Sequence, residues 1–171
     1  MSKHRLSKAN QKCYFARFYL EAIENIGNDE AVINRKALLA AHQESCLFHL
    51  VNAYSGLVWE VANTYDLEFQ NGMTVKEVLD SAQSRGVTLP ELERFLNLET
   101  TPNSWLNRML SSWMKVSALD PAVNAVEKET QNHNAIEVRV FTESDEFTQL
   151  SDWYDNLTAL IEEIRTLLVE W

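Results

Sequence analysis

The fold of this chain is decided by residues 37–62, ALLAAHQESCLFHLVNAYSGLVWEVA, which contain no proline, one glycine and only two charged residues, Glu44 and Glu60. Apolar side chains recur in this stretch at spacings of three and four residues, which places them on one face of an α-helix. The residues of this stripe are Leu47, Leu50, Tyr54, Leu57 and Val61. A helix with so little charge is normally surrounded by protein, so the stretch predicts the central helix of the fold.

The other side of the same helix carries small and weakly polar residues. Taking about 100° per residue, they lie roughly 150° away from the apolar stripe. These residues are His42, Cys46, His49, Ala53 and Gly56. We expect this second face to pack against other helices of the chain or against a second copy of it.

The composition favours one helical domain over residues 1–171. A chain of 171 residues can bury roughly 70% of the surface that its unfolded form exposes. Its apolar and charged fractions, 46% and 23%, are those of a globular protein and exclude wholesale disorder. Four glycines and three prolines are too few for a many-stranded sheet protein, in which a turn recurs about every ten residues.

The flanking sequence predicts an all-α helical bundle of about four long helices and two or three short ones. The first long helix covers about residues 7–26, and the last begins near residues 142–145 and reaches the C-terminus. Residues 135–141, AIEVRVF, alternate apolar and polar side chains as a strand does, but no second strand is available for pairing. We expect an extended segment there, laid along the bundle, with a paired strand possible only across a dimer.

Local signals mark several helix ends. Gly27 is expected to end the first helix in a left-handed conformation, and Gly86 to end a short helix that opens with a capping box at Thr74. Thr88 and Thr101, each followed closely by a proline, are expected to open two further helices, because proline costs little in a first helical turn.

Charge is unevenly distributed along the chain. The net charge of −10 opposes non-specific attraction to phosphate backbones, so we do not expect nucleic acid as a partner. Residues 1–20 nevertheless hold five basic residues and no acid, whereas residues 120–171 hold twelve acidic residues and three basic ones. Two explanations stay open: these are solvated helix faces, or the first segment is a basic arm that docks on an acidic partner surface.

The two cysteines, Cys13 and Cys46, are too few for a disulfide framework and lie within helical apolar patterns. Both are therefore predicted to be reduced core residues. No stretch approaches the roughly twenty apolar residues of a membrane span, and the first residues lack the apolar segment of a signal peptide. We expect a cytoplasmic protein with no membrane span.

His42, Cys46 and His49 are the candidate metal ligands. They lie at positions i, i+4 and i+7 of one helix, and imidazole and thiolate both bind zinc or copper. A closed site needs a fourth ligand from another helix, which Cys13 or a carboxylate could provide. The alternative is a polar seam between helices. Because glycine-rich phosphate loops, CxxC pairs, HExxH and Glu-x-x-His are all missing from the sequence, we expect no cofactor.

Arg35 and His42 are the candidate catalytic residues. Their R-x6-H spacing is similar to the motif of the helical HEPN ribonucleases, in which an arginine and a histidine share a helix face at a dimer interface and act on an RNA phosphodiester. Lys36 departs from that pattern, because those enzymes usually carry a small polar residue or a histidine after the arginine. The resemblance implies a ribonuclease; the alternative for Arg35 is an exposed cation at a helix start.

The tryptophans could line a pocket for an apolar ligand. They are Trp59, Trp105, Trp113, Trp153 and Trp171. Aromatic residues at helical spacing belong more often to the core, which is where we expect them.

Four segments carry a resemblance to a family: NQKCYFARFYLEA (residues 10–22), AHQESCLFHLVNAY (41–54), NSWLNRMLSSW (103–113) and VEW (169–171). In these segments the chain resembles a family of small uncharacterised proteobacterial proteins, a domain of unknown function. The likeness spans nearly the whole chain and implies a bacterial, cytoplasmic, helical protein. It brings no activity and no site residue with it.

The sequence shows no convergent set of acid, base and nucleophile, so an enzyme is not the favoured class. It favours a non-catalytic interaction or regulatory module that binds itself as a homodimer, or binds another protein. Two alternatives remain open. One is a HEPN-like ribonuclease using Arg35 and His42, and the other is a small-ligand or metal-binding bundle using His42, Cys46 and His49.

Overall fold

A computed structural model describes residues 7–28, 33–70, 72–118 and 145–169, and within these ranges the chain forms six α-helices and no strand. The helices are α1 Lys8–Asn28, α2 Arg35–Thr64, α3 Val75–Ser84, α4 Pro90–Thr100, α5 Trp105–Ser117 and α6 Asp145–Val169. The predicted all-α bundle is confirmed. The extended segment expected at residues 135–141 lies outside the described residues.

α2 is the central helix, in contact with α1, α4, α5 and α6. All five residues of the predicted apolar stripe are buried. Because apolar side chains from several helices surround that stripe, α2 is held by tertiary packing more than by its own propensity. The prediction made from residues 37–62 is therefore confirmed.

Some helix ends follow the predicted caps. Thr74 forms a capping box at the start of α3, in which its hydroxyl accepts from the backbone N–H of Glu77 and the Glu77 carboxylate accepts from the backbone N–H of Thr74. Gly86 follows α3 with a φ of 71°, which favours glycine. Gly27 does not end α1, which continues to Asn28. Its carbonyl accepts a hydrogen bond from the guanidinium of Arg35, so a left-handed cap is not needed there.

One predicted helix start is displaced by a single residue, and another is wrong. α4 has Leu89 rather than Thr88 at its N-cap, although the following proline occupies the expected first turn. Thr101 closes α4 instead of opening α5, because its backbone N–H donates to the carbonyl of Asn97. α5 begins after Ser104, whose hydroxyl accepts from the backbone N–H of Asn107 at 3.0 Å.

Arg165 of α6 fastens that helix across the α1–α2 hairpin. Its guanidinium donates to both carboxylate oxygens of Glu60, with a shortest N···O distance of 2.9 Å. The same guanidinium donates to the side-chain oxygen of Asn10 at 2.6 Å and to the hydroxyl of Ser7. Because several acceptors share one partly buried cation, this contact fixes the position of α6 against two helices.

Two tyrosines, Tyr54 of α2 and Tyr65 directly after that helix, fix α4 in a similar way. The hydroxyl of Tyr54 donates to Glu99 at 2.8 Å, and that of Tyr65 donates to Glu91 at 3.2 Å. Glu91 is buried, and its second carboxylate oxygen has no partner among the described residues.

The tryptophans do not all belong to the core. Trp153 is 2% exposed, as expected, but Trp59 is 47% exposed, and Trp105 and Trp113 are partly buried. Trp171 lies outside the described residues. None of the helices in the described ranges has an apolar run long enough to cross a bilayer.

Candidate interaction surface

The seam between α1 and α2 is narrow because small residues line it. Cys46 is fully buried there, and its thiol donates a hydrogen bond to the carbonyl of Ala16 at 3.6 Å. A Cβ atom added to Gly56 would lie 3.0 Å from the backbone nitrogen of Ala9. The second face of the central helix is therefore the face that packs on α1.

Burial keeps both thiols protonated at neutral pH. It raises the pKa of Cys46 to about 12 and that of Cys13 to about 11, the latter despite the positive charge of Arg165 and a hydrogen bond with Thr158. Thiolates are the form that binds metals. In the part of the chain that the structure describes, no group of three or more histidines, cysteines or carboxylates could hold a metal ion. The metal site at His42, Cys46 and His49 thus stays a prediction without a converging ligand set.

The two histidines pack against one tyrosine ring of α1. The centroid of the His49 ring lies 5.4 Å from that of Tyr19, with 24° between the planes, and 5.4 Å from that of Phe15 in an edge contact. The centroid of the His42 ring lies 5.7 Å from that of Tyr19. His42 and His49 therefore belong to an aromatic contact between α1 and α2.

Lys12 lies beside these rings. Its ammonium nitrogen is 5.5 Å from the ring centroid of Phe15 and 5.7 Å from that of Phe48, within reach of a cation–π interaction. Burial, and secondly the charge of Lys12, lower the pKa of His49 from 6.5. His49 is therefore neutral at pH 7, and its buried Nδ1 has no hydrogen-bond partner among the described residues.

Arg35 is committed to the end of α1. It is the first residue of α2, and its guanidinium donates to the carbonyl of Gly27. Its Nε is buried without a partner in the described ranges. No hydrogen bond between described residues joins Arg35 to His42, which lies about two turns further along α2. The ribonuclease assignment of this pair stays a prediction. It would require Arg35 to release the carbonyl of Gly27 and to bind a phosphate of the RNA instead.

The aromatic contact continues onto α5, and a further ring pair lies on α1. The Phe48 ring contacts those of His49 and Trp113, with centroids 5.2 and 5.7 Å away. On α1, Tyr14 and Phe18 form an edge-to-face pair with centroids 4.6 Å apart. We call the whole set the ring surface: Tyr14, Phe15, Phe18, Tyr19, His42, Phe48, His49 and Trp113.

Much of the ring surface is open to solvent. Tyr14 is 57% exposed, Phe18 51% and Phe48 41%. Phe18 lies three residues from Phe15, so the exposed pair adjoins the half-buried rings on α1. Single exposed apolar residues are ordinary, whereas adjoining ones mark sites of contact with other molecules.

Tyr14, Phe18 and Phe48 belong to no site that the sequence predicts. A signal was present, because each is a large aromatic residue that lies off the buried stripe of its helix. The contact between Phe48 and Trp113 had no such signal, since it joins helices that are distant in sequence.

Comparison with known proteins gives a family and no activity. The family model of DUF6586, a family of unknown function, matches residues 1–171, so the chain belongs to that family. No curated protein and no solved structure matches the chain. The resemblance to a family of unknown function is confirmed; a proteobacterial origin stays a prediction.

Proposed function

We propose that this member of the DUF6586 family is a non-catalytic, cytoplasmic interaction module that forms a homodimer through the ring surface. The observation that carries the proposal is the exposure of large rings on both α1 and α2, where Tyr14, Phe18 and Phe48 are each more than two-fifths exposed. The free, buried cysteines Cys13 and Cys46 fit a reducing compartment.

The chemistry of the ring surface suits a protein contact. Aromatic residues are enriched in the centres of protein interfaces, because they bury large areas and lose little side-chain entropy. The edge-to-face pair of Tyr14 and Phe18 is already fixed within one chain, so less ordering is required when a partner binds. Removing these rings from water favours association, because apolar surface is buried.

Charge along α1 favours a second copy as the partner. The first half of α1 carries Lys8, Lys12 and Arg17, and its second half carries Glu21 and Glu24. In a two-fold symmetric contact, two copies of α1 that pack antiparallel place the basic half of each beside the acidic half of the other. The Tyr14–Phe18 pair lies near the middle of α1, close to the proposed symmetry axis.

Light scattering on the purified chain tests the proposal. We expect a molar mass that rises toward twice the monomer mass with concentration, and Phe18→Glu is expected to keep the mass at that of the monomer. Trp59→Glu is the matched control, because Trp59 is a comparably exposed aromatic residue outside the ring surface. A parent protein that is monomeric at every concentration contradicts the dimer, and equal loss of mass in both variants contradicts the assignment to the ring surface.

A further inference from the structure

His49 is where the aromatic rings of α1 and α2 meet. The centroid of its imidazole lies 5.4 Å from that of Phe15 and 5.4 Å from that of Tyr19, both on α1. The planes of His49 and Tyr19 are 24° apart, so these two rings stack. On its own helix, the imidazole lies 5.2 Å from the ring of Phe48, which contacts Trp113 of α5. One imidazole therefore joins rings of two helices, and through Phe48 it is connected to a third.

The surroundings of this imidazole suit its neutral form. Nδ1 of His49 is buried, and it has no hydrogen-bond partner among the described residues. A neutral imidazole can leave one nitrogen without a proton, because its single N–H can be on the other nitrogen. An imidazolium carries an N–H on both nitrogens. Protonation would therefore bury a donor without an acceptor, which destabilises the folded chain.

Lys12 adds a positive charge beside the same rings. Its ammonium nitrogen lies 5.5 Å from the ring centroid of Phe15 and 5.7 Å from that of Phe48. These two rings could otherwise stabilise an imidazolium through a cation–π interaction, but they already face a cation. A second positive charge at His49 would be repelled by the first. Burial, and secondly the charge of Lys12, accordingly lower the pKa of His49 from 6.5.

The other titratable groups around His49 bring no negative charge at acidic pH. From α1, Tyr19 presents a phenol to the ring, and on α2 the imidazole of His42 contacts the same phenol and can only add positive charge. Cys46, one turn before His49, is a protonated thiol. The aromatic contact from α5 is made by Trp113, which is uncharged. No carboxylate of the described residues contributes to the pKa of His49.

We propose that His49 is a positioning residue: its neutral ring holds α1 against α2 at the ring surface, and mild acid weakens that contact. Protonation adds a charge and an N–H that no described residue satisfies. The imidazole then turns away from Phe15 and Tyr19, and these rings lose their partner on α2. Because the contact lies within one chain, the inference does not depend on the proposed dimer. It goes beyond that dimer by making the shape of the ring surface depend on pH.

The sign of the pH dependence follows from the lowered pKa. The unfolded chain binds a proton at His49 near pH 6.5, whereas the folded chain binds it only at a lower pH. The stability that the neutral ring provides is therefore complete above pH 6.5 and is lost as the pH falls through the folded-state pKa. Carboxyl groups also titrate in acid, so the test compares matched variants.

Urea denaturation of the full chain at about pH 7.5 and about pH 5 tests the proposal, at a concentration at which light scattering gives the monomer mass. The quantity compared is the factor by which acid raises the unfolding equilibrium constant of each protein. His49→Phe keeps a ring and every other titratable group, so its factor contains all contributions except that of His49. We expect the factor of the parent to be larger by about fivefold or more, the effect of one buried donor without an acceptor.

Two further variants separate protonation of His49 from loss of packing. His42→Phe is the matched control, because it makes the same change at a histidine of the ring surface that has no buried, unpartnered nitrogen. It should respond to acid as the parent does. Lys12→Gln removes the neighbouring charge and should make the parent less sensitive to acid, but it should not change the response of His49→Phe. Proton nuclear magnetic resonance should show that Lys12→Gln raises the pKa of His49 toward 6.5.

These comparisons are made on the monomer, so they stand even if the proposed dimer does not form. The proposal is overturned if the parent and His49→Phe respond equally to acid. It is also overturned if Lys12→Gln alters the acid response equally in the two backgrounds, because the effect of its charge then does not act through His49.

Discussion

The two sides of α2 pack against their neighbours through different kinds of contact. Toward α1, contact is set by small residues: Gly56 lies against the backbone of Ala9, and Cys46 against the carbonyl of Ala16. Toward α4, contact is set by hydrogen bonds from tyrosine hydroxyls to partly or fully buried carboxylates. The first side depends mainly on shape, whereas the second depends on the protonation of the tyrosine hydroxyls.

The same difference describes how the candidate reactive groups are held. On the α1 side, the groups that could react are held in other contacts, since Cys46 is protonated and His49 is packed between rings. On the α4 side, each carboxylate is paired with a tyrosine from the neighbouring helix. Both sides therefore contribute to the packing of the fold.

The largest expected effect is at the small-residue side. Gly56→Leu should lower the free energy of unfolding by about 3 kcal/mol, because even its Cβ would lie 3.0 Å from a backbone atom of α1. Gly27→Leu is the matched control, since nothing lies within 4 Å of an added Cβ there, and it should change that free energy by less than about 1 kcal/mol. Urea denaturation measures both; equal effects would show that the seam is not sterically closed.

The tyrosine–carboxylate side should respond less strongly. Tyr54→Phe removes the donor to Glu99, and the loss should cost about 1–3 kcal/mol because a partly buried carboxylate is left unpaired. Tyr14→Phe removes an exposed hydroxyl and should change the unfolding free energy by no more than about 0.5 kcal/mol. If Tyr54→Phe is as mild as its control, the hydrogen bond does not fix α4.

The two sides should also differ in their response to alkali. Burial, and then the charge of Glu99, raise the pKa of Tyr54 well above 10 in the folded chain. A raised pKa favours the neutral form, so the corresponding stability is complete below pH 10 and is lost as the pH rises through the folded-state pKa. Tyr65, whose pKa is also raised by burial and by Glu91, adds to the same fall.

Unfolding free energies measured from pH 8 upward test this prediction. We expect a fall above pH 10 that is shallower in Tyr54→Phe than in the parent. Glu99 does not confound the measurement. Burial raises the pKa of its carboxyl from 4.5, so the stability that its protonated form contributes is lost as the pH rises within the acidic range. Parallel curves for the two proteins would rule out a role for Tyr54 in the alkaline fall.

The smallest expected signal is an absence of reaction at the α1 side. Cys13 and Cys46 are buried and their pKa values are raised, so an aromatic disulfide reagent should not label them at pH 8 in the native protein. Both thiols should react after denaturation. Fast labelling of Cys46 in the folded protein would instead support an accessible thiolate and revive the metal-site prediction.

The sequence predicts those parts of the fold that depend on neighbours within one helix. The apolar stripe of α2 and the capping box at Thr74 are of this kind, because residues three or four apart determine them. The end of α1 was wrongly predicted at Gly27, since the group that satisfies its carbonyl comes from Arg35 in the next helix. The start of α5 was wrong because Thr101 is used by the end of α4.

The candidate site was predictable only in part. The second face of α2 was recognised as a packing face, and that is where α1 lies. The rings of Phe15 and Tyr19 that enclose His49 come from α1, and no local pattern specifies which α1 residues meet which α2 residues. The contacts of Arg165 with Glu60 and Asn10 cannot be predicted from the sequence for the same reason.

The proposed dimer makes a geometric prediction that disulfide cross-linking tests most directly. Gln11 and Asn25 are exposed on α1, on either side of Phe18, and antiparallel packing brings Gln11 of one copy near Asn25 of the other. Two copies of Gln11 would instead lie about 20 Å apart. The native thiols do not interfere, because both are buried.

Equal amounts of Gln11→Cys and Asn25→Cys chains are mixed, oxidised mildly and separated by mass. The account predicts that the mixed disulfide, Gln11→Cys with Asn25→Cys, predominates over both same-site disulfides and disappears when Phe18→Glu is added to each chain. Cross-linking that is absent, or that favours same-site pairs, would contradict a two-fold contact through the ring surface.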